Sequence, residues 1–176
     1  MEEGGVSTPP FLLPCSGTAL ICGSADCLYD DIDDADRPDV CLIGVNGAPV
    51  RAHHRFSAHP RNLHAKGWVQ PGELAHGAAF HPKMPWVDHW WPAVNNAAGT
   101  SGWAAAKMAI LMGFEEIILC GIPIDDSCYM NGRPAKKFED PSVLEAYRAA
   151  IIGDTAHHSV IRSMSGWTRA LLGPPS

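Results

Sequence analysis

The stretch Gly99-Thr-Ser-Gly-Trp-Ala-Ala-Ala-Lys-Met-Ala-Ile-Leu-Met-Gly113, followed at once by Phe114-Glu-Glu-Ile-Ile-Leu-Cys-Gly-Ile-Pro-Ile-Asp125, decides the fold. Trp103, Ala106, Ile110 and Phe114 recur at helical spacing, Thr100 or Ser101 is placed to cap the first N–H groups, and Gly113 ends the run, so the first half is a helix. Ile117-Ile-Leu-Cys120 is apolar without alternation. That is the pattern of a parallel strand covered on both faces, and Gly121 to Asp125 then forms the loop at its carboxyl end. Helix, tight turn, strand and polar loop make one α/β unit. Ligands of open α/β sheets bind at the carboxyl ends of the strands, which puts Asp125 where chemistry is expected. The small, polar helix start at Thr100, Ser101 and Gly102 suits an anion as well as simple capping.

Two more strand ends precede this unit. Thr18-Ala-Leu-Ile-Cys22 is a short apolar strand, and Gly23-Ser24 turns out of it toward a helix start, an arrangement that cradles phosphates by backbone N–H groups. Val40-Cys-Leu-Ile-Gly-Val-Asn46 is a second strand that brings Asn46 to the same edge as Ser24. There an amide is placed to meet a base, ribose or phosphate, or to serve a turn. The acidic segment from Cys27 to Asp36 lacks the glycine and terminal glutamate of a calcium loop and reads as a solvated helix face.

Composition bounds the partners. A chain of 176 residues fits one domain, with residues 1–15 as an irregular, proline-broken leader and 16–176 as the folded unit. The net charge of -6, with 13 scattered Lys and Arg, argues against nucleic acid as a partner. No apolar run is long enough to span a membrane, and the start Met1-Glu-Glu-Gly-Gly lacks the basic and apolar regions of a signal peptide; a cytoplasmic setting is expected. Cys22, Cys41 and Cys120 lie in predicted buried strands and read as reduced packing residues. Seven histidines between His53 and His89 form no helical H-x-x-x-H pair, so no metal is assigned.

Elsewhere, Arg55-Phe-Ser-Ala-His59 reads as a third strand leading through Pro60 into a helix, and Ala78-Ala-Phe-His81-Pro82 repeats the pattern of an apolar run ending in His-Pro. Those histidines face a ligand or cap a turn. Residues 82–98, with Pro82, Pro85 and Pro92 among tryptophans, read as an irregular ordered loop. Asp126 to Asp140 reads as a mobile excursion above the strand ends, of the kind that acts as a lid. Pro141 to Ile152 is a helix, His157 to Ser163 a last strand, and Met164 to Leu172 a closing helix with a Ser-Gly start. The expected architecture is a three-layer Rossmann-like α/β domain with a mostly parallel sheet of five to seven strands.

At the Gly23-Ser24 turn, Asn46, Thr100-Ser-Gly102 and Gly113-Phe-Glu-Glu-Ile-Ile-Leu-Cys-Gly-Ile-Pro-Ile-Asp125, the chain resembles the bacterial sialyltransferases of the Campylobacter lipooligosaccharide type. It also resembles flagellin-glycosylation accessory factors, archaeal hydroxymethylpterin diphosphokinases and, in its Ser-Gly-Trp-Thr segment, short proteins of bacterial viruses. The resemblance implies that Gly23, Ser24, Asn46, Thr100, Ser101 and Gly102 bind a nucleotide or nucleotide sugar, and that His157 or His158 acts as general base; Asp125, from its place at the strand end, is the other catalytic candidate. Two departures stand out. Both histidines run straight into the last strand here, and Tyr129 is the sole lid-region counterpart of the tyrosines that assist the leaving phosphate. The sequence therefore points to a transferase of glycosyl or phosphoryl groups, or to a non-catalytic nucleotide-sensing module of the same fold. It names no cofactor and allows a homo-oligomer.

Overall fold

In a computed structural model, the structure describes residues 17–78, 83–91, 94, 100–127, 129–134 and 139–176. The expected leader, the Ala79–Pro82 part of the His-Pro motif and parts of the 82–98 and 126–140 segments lie outside the described residues. Seven parallel strands form one sheet: β1 (Thr18–Cys22), β2 (Cys41–Val45), β3 (His54–Ser57), β4 (Leu74–Ala78), β5 (His89–Trp91), β6 (Glu116–Cys120) and β7 (Ile161–Ser163). Their order is β5-β4-β3-β2-β1-β6-β7. The helices are α1 (Leu28–Ala35), α2 (Arg61–Ala65), α3 (Ser101–Leu111), α4 (Pro141–Gly153) and α5 (Gly166–Leu172). The chain thus steps outward from β1 to β5, then α3 carries it back across the sheet to lay β6 on the other side of β1. That reversal is the topological switch point of the sheet, and in such folds the crevice there takes the ligand.

The apolar runs explain the two layers. Ala19, Ile21, Ile43, Ile117 and Leu119 face one way and pack on α3, whereas Leu20, Cys22, Ile118 and Cys120 face the other and pack on Leu28 and Ala35 of α1. Helix α3 is buried almost throughout, from Gly102 to Ala109, which is why its sequence is apolar all round.

The β2–β3 connection, residues 46–53, has no helix. Without a helical ladder the crossover satisfies only part of its backbone through turns, and a buried ion pair takes carbonyls along it. Arg55 donates to the carbonyls of Asn46 (3.3 Å), Ala48 (2.7 Å) and Val50 (2.6 Å) and twice to Glu73 (2.9 and 2.6 Å). Glu73 in turn accepts from the amides of Ala52 and Gln70 (2.9 Å each). Burial alone would raise the Glu73 carboxyl, but the hydrogen bonds from Arg55, Gln70 and Ala52 outweigh it and hold the group below its ordinary range.

Two expectations are corrected. The segment from His157 is not a strand: Thr155–His157 is a short 3-10 turn, and β7 occupies only Ile161–Ser163, because backbone bonds from His157 to the Asp154 carbonyl and from Val160 to the His157 carbonyl coil the chain before it reaches β6. The 82–98 segment is not wholly irregular, since His89–Trp91 pairs with His76 to Ala78 as edge strand β5. Its prolines fall outside those three residues, so none of them removes a donor from the ladder.

Candidate functional site at the carboxyl edge

The turns after β1, β2 and β6 and the start of α3 meet at the switch point. They enclose a cavity of about 120 Å3 lined by Gly23, Ser24, Asn46, Thr100, Ser101, Gly102, Asp125 and Tyr129 among others. Seven of the residues singled out in the sequence therefore share one cavity although they come from four separate parts of the chain. His157 and His158 are not among its lining residues.

Each lining residue has a local reason to be where it is. Gly23 follows β1 with its amide donating to the Cys120 carbonyl (2.8 Å), and a Cβ there would collide with the Gly121 carbonyl oxygen. Only glycine lets the two turns approach so closely. Asn46 has φ +53, the left-handed region that asparagine tolerates better than most residues. Ser57 Oγ accepts from the His59 amide (3.0 Å) and so gives its own proton to Asn46 Oδ1 (2.7 Å). This fixes the amide orientation and leaves its NH2 without a partner among the described residues. Thr100 is the cap of α3, its Oγ1 accepting from the Trp103 amide (3.2 Å), so Ser101 is the first helical residue and its hydroxyl has no partner among the described residues. Asp125 Oδ1 accepts from the Ser127 amide (3.0 Å), and its other oxygen has no partner among the described residues.

Among the described residues the lining carries one carboxylate and no lysine, arginine or histidine. An anion held here rests on backbone N–H groups, hydroxyls and the positive end of α3 alone, enough for a single phosphate and poor for a di- or triphosphate. Tyr129 closes the cavity from above: it bridges Ala25 in antiparallel fashion, and the Met130 amide donates to the Ser24 carbonyl (3.0 Å). With that bridge made, the space is well below the roughly 300–1,000 Å3 of small-molecule sites, so a whole nucleotide needs the Tyr129 segment to swing out.

Two functional supports were not recognised in the sequence. Asp31, assigned to a solvated face, is buried: its Oδ2 accepts from the Gly121 amide and from Ser165 Oγ, both at 2.7 Å. The signal was present, since Leu28, Asp31 and Ala35 lie on one helical stripe and the first and last are apolar. The Ser165-Gly-Trp-Thr168 segment grips the loop after β6, with Thr168 donating through Oγ1 to the Ile122 carbonyl (2.8 Å) and through its amide to the Pro123 carbonyl (3.2 Å).

The histidines lie elsewhere. His157 Nδ1 is 2.7 Å from Asp154 Oδ1, and His158 Nε2 donates to the Ile151 carbonyl (2.7 Å). Asp154 also accepts from Trp103 Nε1 (2.9 Å) and Lys107 Nζ (3.1 Å); burial alone would raise its carboxyl, and these bonds with that of His157 hold it below the usual range. Among the described residues no three His, Cys, Asp or Glu side chains are grouped to hold a metal. A larger hollow of about 590 Å3 lies between residues 47–51 and 67–71, but its buried cation, Arg55, already spends all five donors on the protein.

No protein-family model and no curated protein matches this sequence. Solved structures do. The sialyltransferase CST-II in complex with CMP is similar at 13% identity and a TM-score of 0.61, covering 90% of this chain and 86% of that one. The same enzyme with a trisaccharide acceptor and CMP gives 14% identity and a TM-score of 0.61 over the same shares. CstII from Campylobacter jejuni with the substrate analogue CMP-3FNeuAc gives 13% and 0.56, again over 90% and 86%. At such identity the likeness shows the fold: this chain has the Rossmann-like architecture of those glycosyltransferases.

Proposed function

We propose that the chain binds a nucleoside monophosphate, free or as the leaving half of a nucleotide sugar, at the carboxyl-edge cavity, with Gly23, Ser24, Asn46, Thr100, Ser101 and Gly102 as the binding residues. The carrying observation is the meeting of three strand-end turns and the start of α3 at the switch point, in a fold whose solved examples hold CMP. The described lining, which carries no cation, favours one phosphate over two and so favours a sialyltransferase-like donor over the diphosphokinase-like reading, in which a triphosphate must be neutralised. Buried, unbridged Cys22, Cys41 and Cys120 suit the reducing cytoplasm proposed for it.

In the transferase reading, Asp125 is the catalytic carboxylate facing the donor. His157, oriented through Nδ1 by Asp154, offers Nε2 as the proton acceptor, with His158 beside it. One observation favours the alternative of a binding module without turnover: among the described residues no imidazole lines the cavity. Thermal shift and calorimetry with CMP, UMP, AMP and ATP test the binding claim. CMP at about 100 times its dissociation constant should add about 2.7 kcal/mol of stability. ATP stabilising the protein and CMP failing to do so would reject the reading. Release of CMP from a CMP-sugar by wild type, abolished in His157→Ala, separates transferase from module.

A further inference from the structure

The loop that presents Asp125 is built on a strained residue. Ile124 has φ +50, a left-handed conformation that a β-branched side chain rarely adopts, and that side chain is buried in the core. Such a conformation persists only where its surroundings impose it. Here three successive carbonyls are held from outside the loop. Thr168 takes those of Ile122 and Pro123, and Arg148 of α4 donates to that of Ile124 through both Nε and Nη2, at 3.2 Å each. Gly166, with φ +62, presses against Pro123 and the Asp125 carboxylate, where a Cβ would collide with both. The Arg148 guanidinium lies 5.2 Å from the Trp167 ring centroid, which fixes its plane, while its ion pair with exposed Glu145 is long at 3.6 Å.

We infer that Arg148 is a positioning residue for the candidate site. By gripping the Ile124 carbonyl it holds the left-handed turn that sets Asp125 against the cavity, and ligand affinity depends on it although it does not line the cavity. The inference about the ligand rests on the nucleotide-site reading; the inference about Asp125 does not. Arg148 rather than Thr168 is the informative member, because Thr168 is wholly buried and binds Ser163 as well, so its loss disturbs packing.

The test compares wild type with Arg148→Met and Arg148→Lys. Amide exchange is read at Ser127, whose N–H is held by Asp125, and at Ile118 in the sheet core, and CMP affinity is measured by calorimetry. Methionine keeps the apolar contact with Trp167 and removes both donors, whereas lysine retains one donor for the Ile124 carbonyl. Arg148→Met should speed Ser127 exchange at least tenfold while Ile118 keeps its protection, and should weaken CMP at least fivefold; Arg148→Lys should recover part of both. Unchanged Ser127 exchange in Arg148→Met overturns the inference with or without a ligand. Faster Ser127 exchange with unchanged CMP affinity overturns its functional half. If wild type binds no CMP yet Ser127 responds as expected, the positioning role stands and the nucleotide reading falls.

Discussion

The polar groups beneath β2 to β4 and those at the carboxyl edge are built from the same kinds of loop and strand end, and they differ in what they touch. Arg55 and Glu73 are each about 1% exposed and bond one another and five backbone groups. On the other face of the sheet, Trp91 Nε1 donates to His76 Nδ1 (2.9 Å), which puts the remaining proton of His76 on Nε2 and aims it at His54 Nδ1 (2.9 Å). The Arg55–Glu73 network is closed within the protein, and the His76 ring has a protein partner on each nitrogen. At the edge, the hydroxyls of Ser24 and Ser101, the Asn46 NH2 and one oxygen of Asp125 have no partner among the described residues. Saturated polar groups in this fold mark where backbone or strand pairing needed support, and the unsaturated ones line the cavity proposed to take a ligand.

Breaking the saturated side should cost stability first. Arg55→Met leaves Glu73 buried and unpaired and frees three crossover carbonyls, and it should lower the unfolding free energy by about 3–5 kcal/mol in urea titrations. A loss under about 1 kcal/mol would mean that the crossover does not depend on the pair. The imidazole network should make the fold acid-sensitive. Burial, then the neighbouring His53 and His89, push His54 down to about 4, and His76, held down by burial and by His54 and His89, lies well below its ordinary value. Both are neutral when folded and take protons when unfolded below about 6.5, so stability falls as pH drops from about 6.5 toward 4, by on the order of 3 kcal/mol for His54 alone. His54→Phe should flatten that slope; an identical slope in the variant would remove His54 from the account. Asp31→Ala sharpens the contrast from between the two regions, for it strands the Gly121 amide and the Ser165 hydroxyl and should cost about 2 kcal/mol by urea midpoint.

The comparison also shows what the sequence made legible. The helix at 101–111, the strand at 116–120 and the strands around Ile21 and Ile43 are long or uniformly apolar, so pattern alone found them, and with them came the edge where Ser24, Asn46, Ser101 and Asp125 meet. Strand β5 escaped because three residues carry no periodicity and its tryptophans sit among prolines. The 157–160 segment misled because Val160-Ile161 reads as strand while the hydrogen bonds that coil it are local to Asp154 and His157. Asp31 and Arg148 act through backbone carbonyls and amides far away in sequence. The stripe of Leu28, Asp31 and Ala35 signals that Asp31 is buried, but no spacing rule names its partners Gly121 and Ser165 or pairs Arg148 with the Ile124 carbonyl.

As proposed, the start of α3 holds an anion rather than merely beginning a helix. Because Thr100 is the cap, Ser101→Asp leaves capping intact and places a carboxylate at the positive end of the helix dipole, so the urea midpoint should hardly move. The same carboxylate would stand where a ligand phosphate must sit. Calorimetry of CMP binding to wild type and Ser101→Asp, read beside the urea midpoints, should show at least a tenfold loss of affinity, about 1.4 kcal/mol, with stability unchanged. Equal affinity in the two proteins would show that Ser101 starts a helix and nothing more, and would contradict the account.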